Sequence, residues 1–167
     1  LPVNDGMISL GLERPGGQVN ILLLGSDQRP GQGYRTDVMM ILSLIPERNS
    51  VTLLSFPRDL YVNIPGIGYE RINAAQAYGG LALSKETLSY NFDAPVDYYM
   101  MTNFAGFKSI IDTLGGITVY SAYELYDRCD LPQAYNKMCY IPAGANTMND
   151  QTALWYVRSR YSTSDFD

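Results

Sequence analysis

The chain has 167 residues, 46% hydrophobic and 17% charged, which suits one ordinary globular domain with a sizeable core. Fourteen Tyr, five Phe and one Trp exclude a disordered segment, and a net charge of −5 excludes a general nucleic-acid binder. The absence of His removes Ser-His-Asp and Cys-His nucleophile systems and every imidazole metal site, leaving carboxylates, arginines or a hard metal ion to carry any catalysis.

Residues 1–18 carry Gly6, Gly11, Pro15, Gly16 and Gly17 and read as an irregular lead-in. Three apolar, β-branched runs follow, Asn20 to Gly25, Val38 to Ile45 and Val51 to Phe56, the last two joined by a tight turn through Pro46 and Asn49. They predict a strand meander, and their near-continuous hydrophobicity implies helices packed on a sheet, an α/β layer architecture. Asn73 to Tyr78 and Ser84 to Phe92 predict two short helices broken at Gly79-Gly80, with Ser84 as an N-cap. Val96 to Thr102 predicts a strand. Asn103 to Leu114 predicts a helix with Phe104, Phe107, Ile110, Ile111 and Leu114 on its apolar face and Gly115 as its stop. A strand at Ile117 to Val119, an irregular segment from Tyr120 to Gly144 and a last helix from Asn149 or Asp150 through Val157 complete the chain. Nothing reads as a helix-turn-helix.

Cys129 and Cys139 lie ten residues apart, a poor match to metal-ligand spacing. A disulfide is the expectation, and two buried free thiols in a reducing compartment are the alternative. Met39, Met40, Met100 and Met101 serve either as core filling or as the lining of a groove for a flexible lipid chain. No run reaches the roughly 18 apolar residues of a spanning helix, and the first residues lack the regions of a signal peptide, so any membrane anchor is expected outside these residues.

Nine of the twelve basic residues are Arg, whose planar fork suits phosphate. A meander brings the loop after Gly25 and the segment after Phe56 to one edge of the sheet. Asp27, Arg35, Asp37 and Arg58 then converge, as a pyrophosphate site with a divalent cation requires, or as a set of surface salt bridges. Arg158 and Arg160 fall roughly 200° apart if both are helical, so either the helix ends near Val157 and both reach one anion, or one faces solvent.

The ordered series Leu24-Gly25-Ser26-Asp27, Arg35-Thr36-Asp37-Val38-Met39-Met40, Ser55-Phe56-Pro57-Arg58-Asp59, Arg71-Ile72-Asn73-Ala74-Ala75 with Tyr78-Gly79-Gly80, and Ala153-Leu154-Trp155-Tyr156-Val157-Arg158-Ser159-Arg160 resembles the LytR-CpsA-Psr domain. The resemblance implies a catalytic domain over 19–167 whose pattern continues beyond Asp167. It implies a central mixed β-sheet flanked by helices, with an apolar tunnel for a polyprenyl tail and a charged mouth for its pyrophosphate. By resemblance, Asp27 and Asp37 are associated with Mg²⁺ or Mn²⁺, and Arg35, Arg58, Arg158 and Arg160 bind pyrophosphate. Asp37, Arg58 and Arg35 are the catalytic expectations, Asp59 orients Arg58, and Arg71 and Asn73 lie near the site. The implied reaction moves a glycopolymer from a polyprenyl pyrophosphate carrier onto peptidoglycan, outside the plasma membrane and anchored to it. The alternatives are a lipid pyrophosphate hydrolase and a non-catalytic module that binds polyprenyl phosphates or wall polymers.

Overall fold

The computed structural model describes Arg14, residues 16–26 and residues 36–160. The chain divides into two compact units, Leu1–Asn103 and Phe104–Asp167.

The first unit is built on the three apolar runs. β1 (Val19–Ser26) pairs antiparallel with β2 (Thr36–Ile45), and β2 turns through a short 3-10 segment, Pro46–Arg48, into antiparallel β3 (Ser50–Ser55). Asn49 closes that turn in the left-handed conformation, which Asn tolerates better than most residues. A hairpin of β4 (Tyr61–Ile64) and β5 (Gly68–Arg71) follows. Next come α1 (Ala74–Phe92) and β6 (Tyr98–Asn103), which returns to lie parallel beside β1. The result is a mixed four-stranded sheet in the order β3-β2-β1-β6.

Strand alternation gives this sheet two unlike faces. Leu22, Leu24, Met39 and Ile41 are buried in one core with Val62, Ile64, Ile72, Ala75 and Leu88 from the hairpin and α1, and Met101 packs against them. On the other face Leu23 lies between Met40 and Met100, while Val38, Leu53 and Met100 are exposed. The four methionines therefore split, with Met39 and Met101 filling the core and Met40 and Met100 on the open face.

Helix α1 is one element with a break inside it: Gly79 (φ −141°) and Gly80 (φ 61°, ψ −153°) leave helical geometry, Gly80 in a region only glycine enters readily. The break expected at Gly79-Gly80 is present, but Ser84 is no N-cap. The helix resumes before it, and its buried hydroxyl donates to the Gly80 carbonyl and to Gln76 Oε1.

Asp97, just before β6, joins the parallel strand pair by accepting from the Asn20 amide at 2.7 Å and from both terminal nitrogens of Arg14. The Arg14 hydrogen bond, helped by the Asn20 amide, holds the Asp97 carboxyl below its ordinary range. A depressed carboxylate stabilises the fold above its unfolded value and loses that contribution as pH falls through the folded one. Because both side chains are about a third exposed, solvent screening limits the effect to roughly 0.2–1 kcal/mol. Asp97→Asn should therefore lower the melting temperature near neutral pH but not in acid, where wild type and variant should converge; parallel melting curves at any pH would refute the assignment.

The second unit opens with α2 (Phe104–Thr113), which ends as the Gly116 amide reaches back to the Ile111 carbonyl with Gly115 left-handed (φ 73°). Of its expected apolar face, Ile111 is buried and Phe107 partly so, but Ile110 and Leu114 are exposed. β7 (Ile117–Ser121) pairs with β10 (Gly144–Met148), and between them β8 (Leu125–Arg128) and β9 (Met138–Ile141) form a second antiparallel pair. The irregular segment expected from Tyr120 to Gly144 is thus part strand, holding β8, β9 and the bordering ends of β7 and β10, and irregular between them. It escapes an apolar-alternation reading because Asp127 occupies one of the buried positions of β8. α3 (Asp150–Arg158) starts at Asn149, whose side chain accepts from the Thr152 amide, and packs Ala153 against Ile111, Leu125, Ile141 and Met148.

Cys129 and Cys139 form a disulfide that ties β8 to β9. Closing so short a loop is worth about 2–3 kcal/mol. Reduction should lower the stability of this unit by that margin, and an unchanged melt on adding dithiothreitol would contradict it. Among the described residues no helix is long and apolar enough to cross a membrane.

Candidate functional site

The meander fixes where charge collects. β1 ends at Ser26 opposite Thr36, β2 begins there, β3 ends at the same edge, and β6 brings Asn103 beside Ser26. The Phe56 amide donates to the Met39 carbonyl, extending the β2–β3 pairing by one bond and delivering Arg58 to this edge. Arg58 Nη1 donates to Asp37 Oδ1 at 2.7 Å, a charge-assisted hydrogen bond of good length.

A string of alternating charges continues from that pair. Arg58 Nε lies 3.4 Å from Asp59 Oδ2, Arg71 Nη1 lies 3.3 Å from Asp59 Oδ1, and Arg71 Nε lies 3.8 Å from Glu70 Oε1. The Asp59 contact is longer than an ordinary N–H···O bond, so Asp37 is the main holder of Arg58 and Asp59 a weaker one that also bridges to Arg71. The Asp37 hydrogen bond raises the Arg58 guanidinium above its ordinary value, with the nearby Asp59 charge adding to it, so Arg58 carries its charge at every working pH. The side chains of Arg58 and Asp37 are 37% and 38% exposed, open to an incoming ligand.

Among the described residues, three buried side-chain oxygens lack a hydrogen-bond partner: Ser26 Oγ, Thr36 Oγ1 and Asn73 Oδ1. Ser26 and Thr36 are cross-strand partners one residue from Asp37, and the Asn73 amide donates to the Arg58 carbonyl. An orphaned buried polar atom costs about 1–3 kcal/mol. Three at one edge mark a place where the fold retains polar groups at the expense of stability, as ligand sites do.

Asp27 and Arg35 lie outside the described residues. No group of three or more acidic or Cys residues that could hold a metal occurs among the described ones. The Asp37 carboxylate at this edge suits Mg²⁺, which commonly takes one or two carboxylates and fills its remaining positions with water and phosphate oxygens.

In the second unit, α3 stops at Arg158, and Ser159 is extended (φ −66°, ψ 139°). Arg158 and Arg160 are therefore not on opposite sides of one helix. The Arg158 guanidinium carbon lies 4.6 Å from the centroid of the Phe104 ring, a cation–π contact. Asp127, 3% exposed, accepts from the Ser159 hydroxyl, from the Arg160 amide at 2.9 Å and from the Arg128 amide at 2.6 Å. It fixes the chain where the two arginines emerge. Sequence reasoning missed it, although its period-2 spacing between Leu125 and Cys129, both buried, was a signal that it points inward.

The chain resembles known proteins in sequence and in fold. The TagU polyisoprenyl-teichoic acid–peptidoglycan teichoic acid transferase of Oceanobacillus iheyensis is 38% identical over 156 residues, 89% of this chain and 46% of that protein. Its Bacillus subtilis counterpart is 35% identical over 143 residues, 84% of this chain and 44% of that protein. The chain thus spans less than half the length of these relatives. Among solved structures, B. subtilis TagV superposes with a TM-score of 0.74 at 29% identity, covering 89% of this chain and 57% of that one. TagT with bound octaprenyl pyrophosphate lipid superposes with a TM-score of 0.71 at 32% identity, covering 90% of this chain and 61% of that one. The mixed sheet, the motif series that places Asp37 and Arg58 at its edge, and a match to the LytR_cpsA_psr family description over residues 4–167 agree: the chain belongs to that family.

Proposed function

We propose that this chain is the catalytic part of a phosphotransferase that moves a glycopolymer from a polyprenyl pyrophosphate carrier onto peptidoglycan. The observation that carries this reading is the accessible Asp37–Arg58 pair, at the strand edge that also holds the unpartnered buried oxygens of Ser26 and Thr36, in a chain similar to teichoic acid transferases. A sugar hydroxyl of peptidoglycan attacks the phosphorus that bears the glycopolymer. The bond from that phosphorus to the bridging oxygen breaks, and polyprenyl phosphate leaves with the electron pair.

Arg58 neutralises charge developing on the phosphoryl oxygens, and Arg35, Arg158 and Arg160 hold the pyrophosphate. Asp37, with Asp27, would hold Mg²⁺ or Mn²⁺. A metal bound there would supply neutralisation of phosphate charge. Asp37 serves either as ligand or as acceptor of the hydroxyl proton, since a carboxylate committed to a metal is a poor base. The open sheet face of Val38, Met40, Leu53 and Met100 begins next to Asp37 and offers one wall of an apolar tunnel for the polyprenyl tail.

The disulfide supports action outside the plasma membrane, where such bonds persist, and the reading places the protein there, anchored by a segment beyond these residues. The test is incubation with lipid-linked glycopolymer, Mg²⁺ and peptidoglycan, following both polyprenyl phosphate and wall-bound polymer. Metal-dependent formation of both, lost in Asp37→Ala, supports the proposal. Release of free phosphorylated polymer identifies hydrolysis instead, and tight lipid binding without turnover identifies a binding module.

A further inference from the structure

The second unit contains a cleft of about 270 Å³ that none of the phosphate chemistry uses, near the lower end of the roughly 300–1,000 Å³ usual for small-molecule sites. Tyr126, Tyr135, Tyr140 and Trp155 line it, and no lining residue is charged. An uncharged cleft offers no counter-charge to a phosphate. Tyr135 is 78% exposed, Tyr126 55% and Tyr140 54%, so the rings present open faces to a ligand.

Rigidity is built in. Tyr126 and Tyr140 are directly opposed across the β8–β9 pair and so share a face, and the disulfide pins that pair. The Trp155 indole N–H donates to the Arg128 carbonyl at 2.8 Å, which fixes the ring. Tyr135 and Met138 exchange two backbone hydrogen bonds, of 3.0 and 2.9 Å. Gln133 Nε2 donates to Thr152 Oγ1 at 3.2 Å, so an amide and a hydroxyl stand among the rings.

We propose that this cleft is a saccharide subsite, in which aromatic faces stack on the C–H face of a pyranose ring while phenols and the Gln133 amide bond its hydroxyls. A neutral ring with one apolar face and polar edges matches such a lining, since the Gln133 side chain has a second N–H and a carbonyl oxygen besides the N–H it gives Thr152. The proposal deepens the glycopolymer transfer reading and rests on it for the source of the sugar. The ring belongs either to the acceptor glycan strand or to the donor polymer.

Trp155 is the chain's one tryptophan, so its emission reports directly on the cleft. The experiment titrates the protein, without Mg²⁺ or lipid, with peptide-free oligosaccharides of the peptidoglycan strand and, separately, with glycopolymer released from its carrier, followed by fluorescence and calorimetry. A saturable response to either, weakened at least about tenfold in Tyr135→Ala and Tyr140→Ala at unchanged melting temperature, is expected, and the arm that binds identifies acceptor or donor. No saturable response to either sugar, or a response those variants retain, overturns the subsite. Asp37→Ala should keep the sugar response while losing transfer, so the subsite and the phosphotransfer reading fail separately.

Discussion

Arg58→Ala should lower turnover by about 10²–10³-fold, the usual cost of removing one group that meets charge developing in a transition state. Stability should change by less than about 1 kcal/mol, because the Asp37–Arg58 pair is more than a third exposed on both sides and screened by solvent. Arg58→Lys should recover only part of the rate, since an ammonium is a point charge and cannot present two parallel donors to phosphate while holding Asp37. Steady-state rates with lipid-linked polymer, beside thermal melts of the same proteins, separate the two effects. A variant that melts as wild type and turns over as wild type would remove Arg58 from the chemistry.

Asp127→Ala should be the most damaging substitution in the second unit, at about 3 kcal/mol. It removes a carboxylate that is 3% exposed and leaves the amides of Arg128 and Arg160 and the Ser159 hydroxyl, part-buried in these bonds, without that acceptor. Asp127→Asn, of the same shape, should cost less because one carbonyl still accepts. The two should also weaken affinity for a polyprenyl pyrophosphate in the same order, since Arg158 and Arg160 leave α3 through the segment that Asp127 holds. Chemical denaturation and lipid-binding titrations measure these. Equal stability of Asp127→Ala and wild type would show that the buried carboxylate anchors nothing.

How much was legible in the sequence depended on whether a side chain's type announced its surroundings. The three runs that became β1, β2 and β3 were readable because continuous Val, Ile and Leu admit few alternatives, and the antiparallel order followed from the tight turn at Pro46–Arg48. That order alone brought Asp37 toward Arg58. β4 and β5 were not anticipated, although Val62 and Ile64 alternate as buried positions, because each strand is only four residues long and Tyr61 and Tyr69 lie on the exposed side with rings stacked 6.2 Å apart. Ser84 was misread because a serine after a glycine pair fits an N-cap in sequence, and only the geometry at Gly80 shows the helix resuming earlier. Arg158 and Arg160 were undecidable from spacing, since the answer turned on a single extended residue, Ser159.

The parallel pairing of β6 with β1 has a kinetic side. Ile21 faces Tyr98 at a chain separation of 77 residues, and a contact that distant in the chain forms only after a long loop has been closed. β2 and β3 meet across one short turn, so their hairpin can assemble while later residues are still unmade. The edge that carries Asp37 and Arg58 depends on β1, β2 and β3, not on β6. During synthesis the charged edge should therefore take shape before the sheet is complete, and pulse-labelled hydrogen exchange should find the Ile41 and Leu54 amides, which bond across β2 and β3, protected earlier than that of Met101, which faces β1.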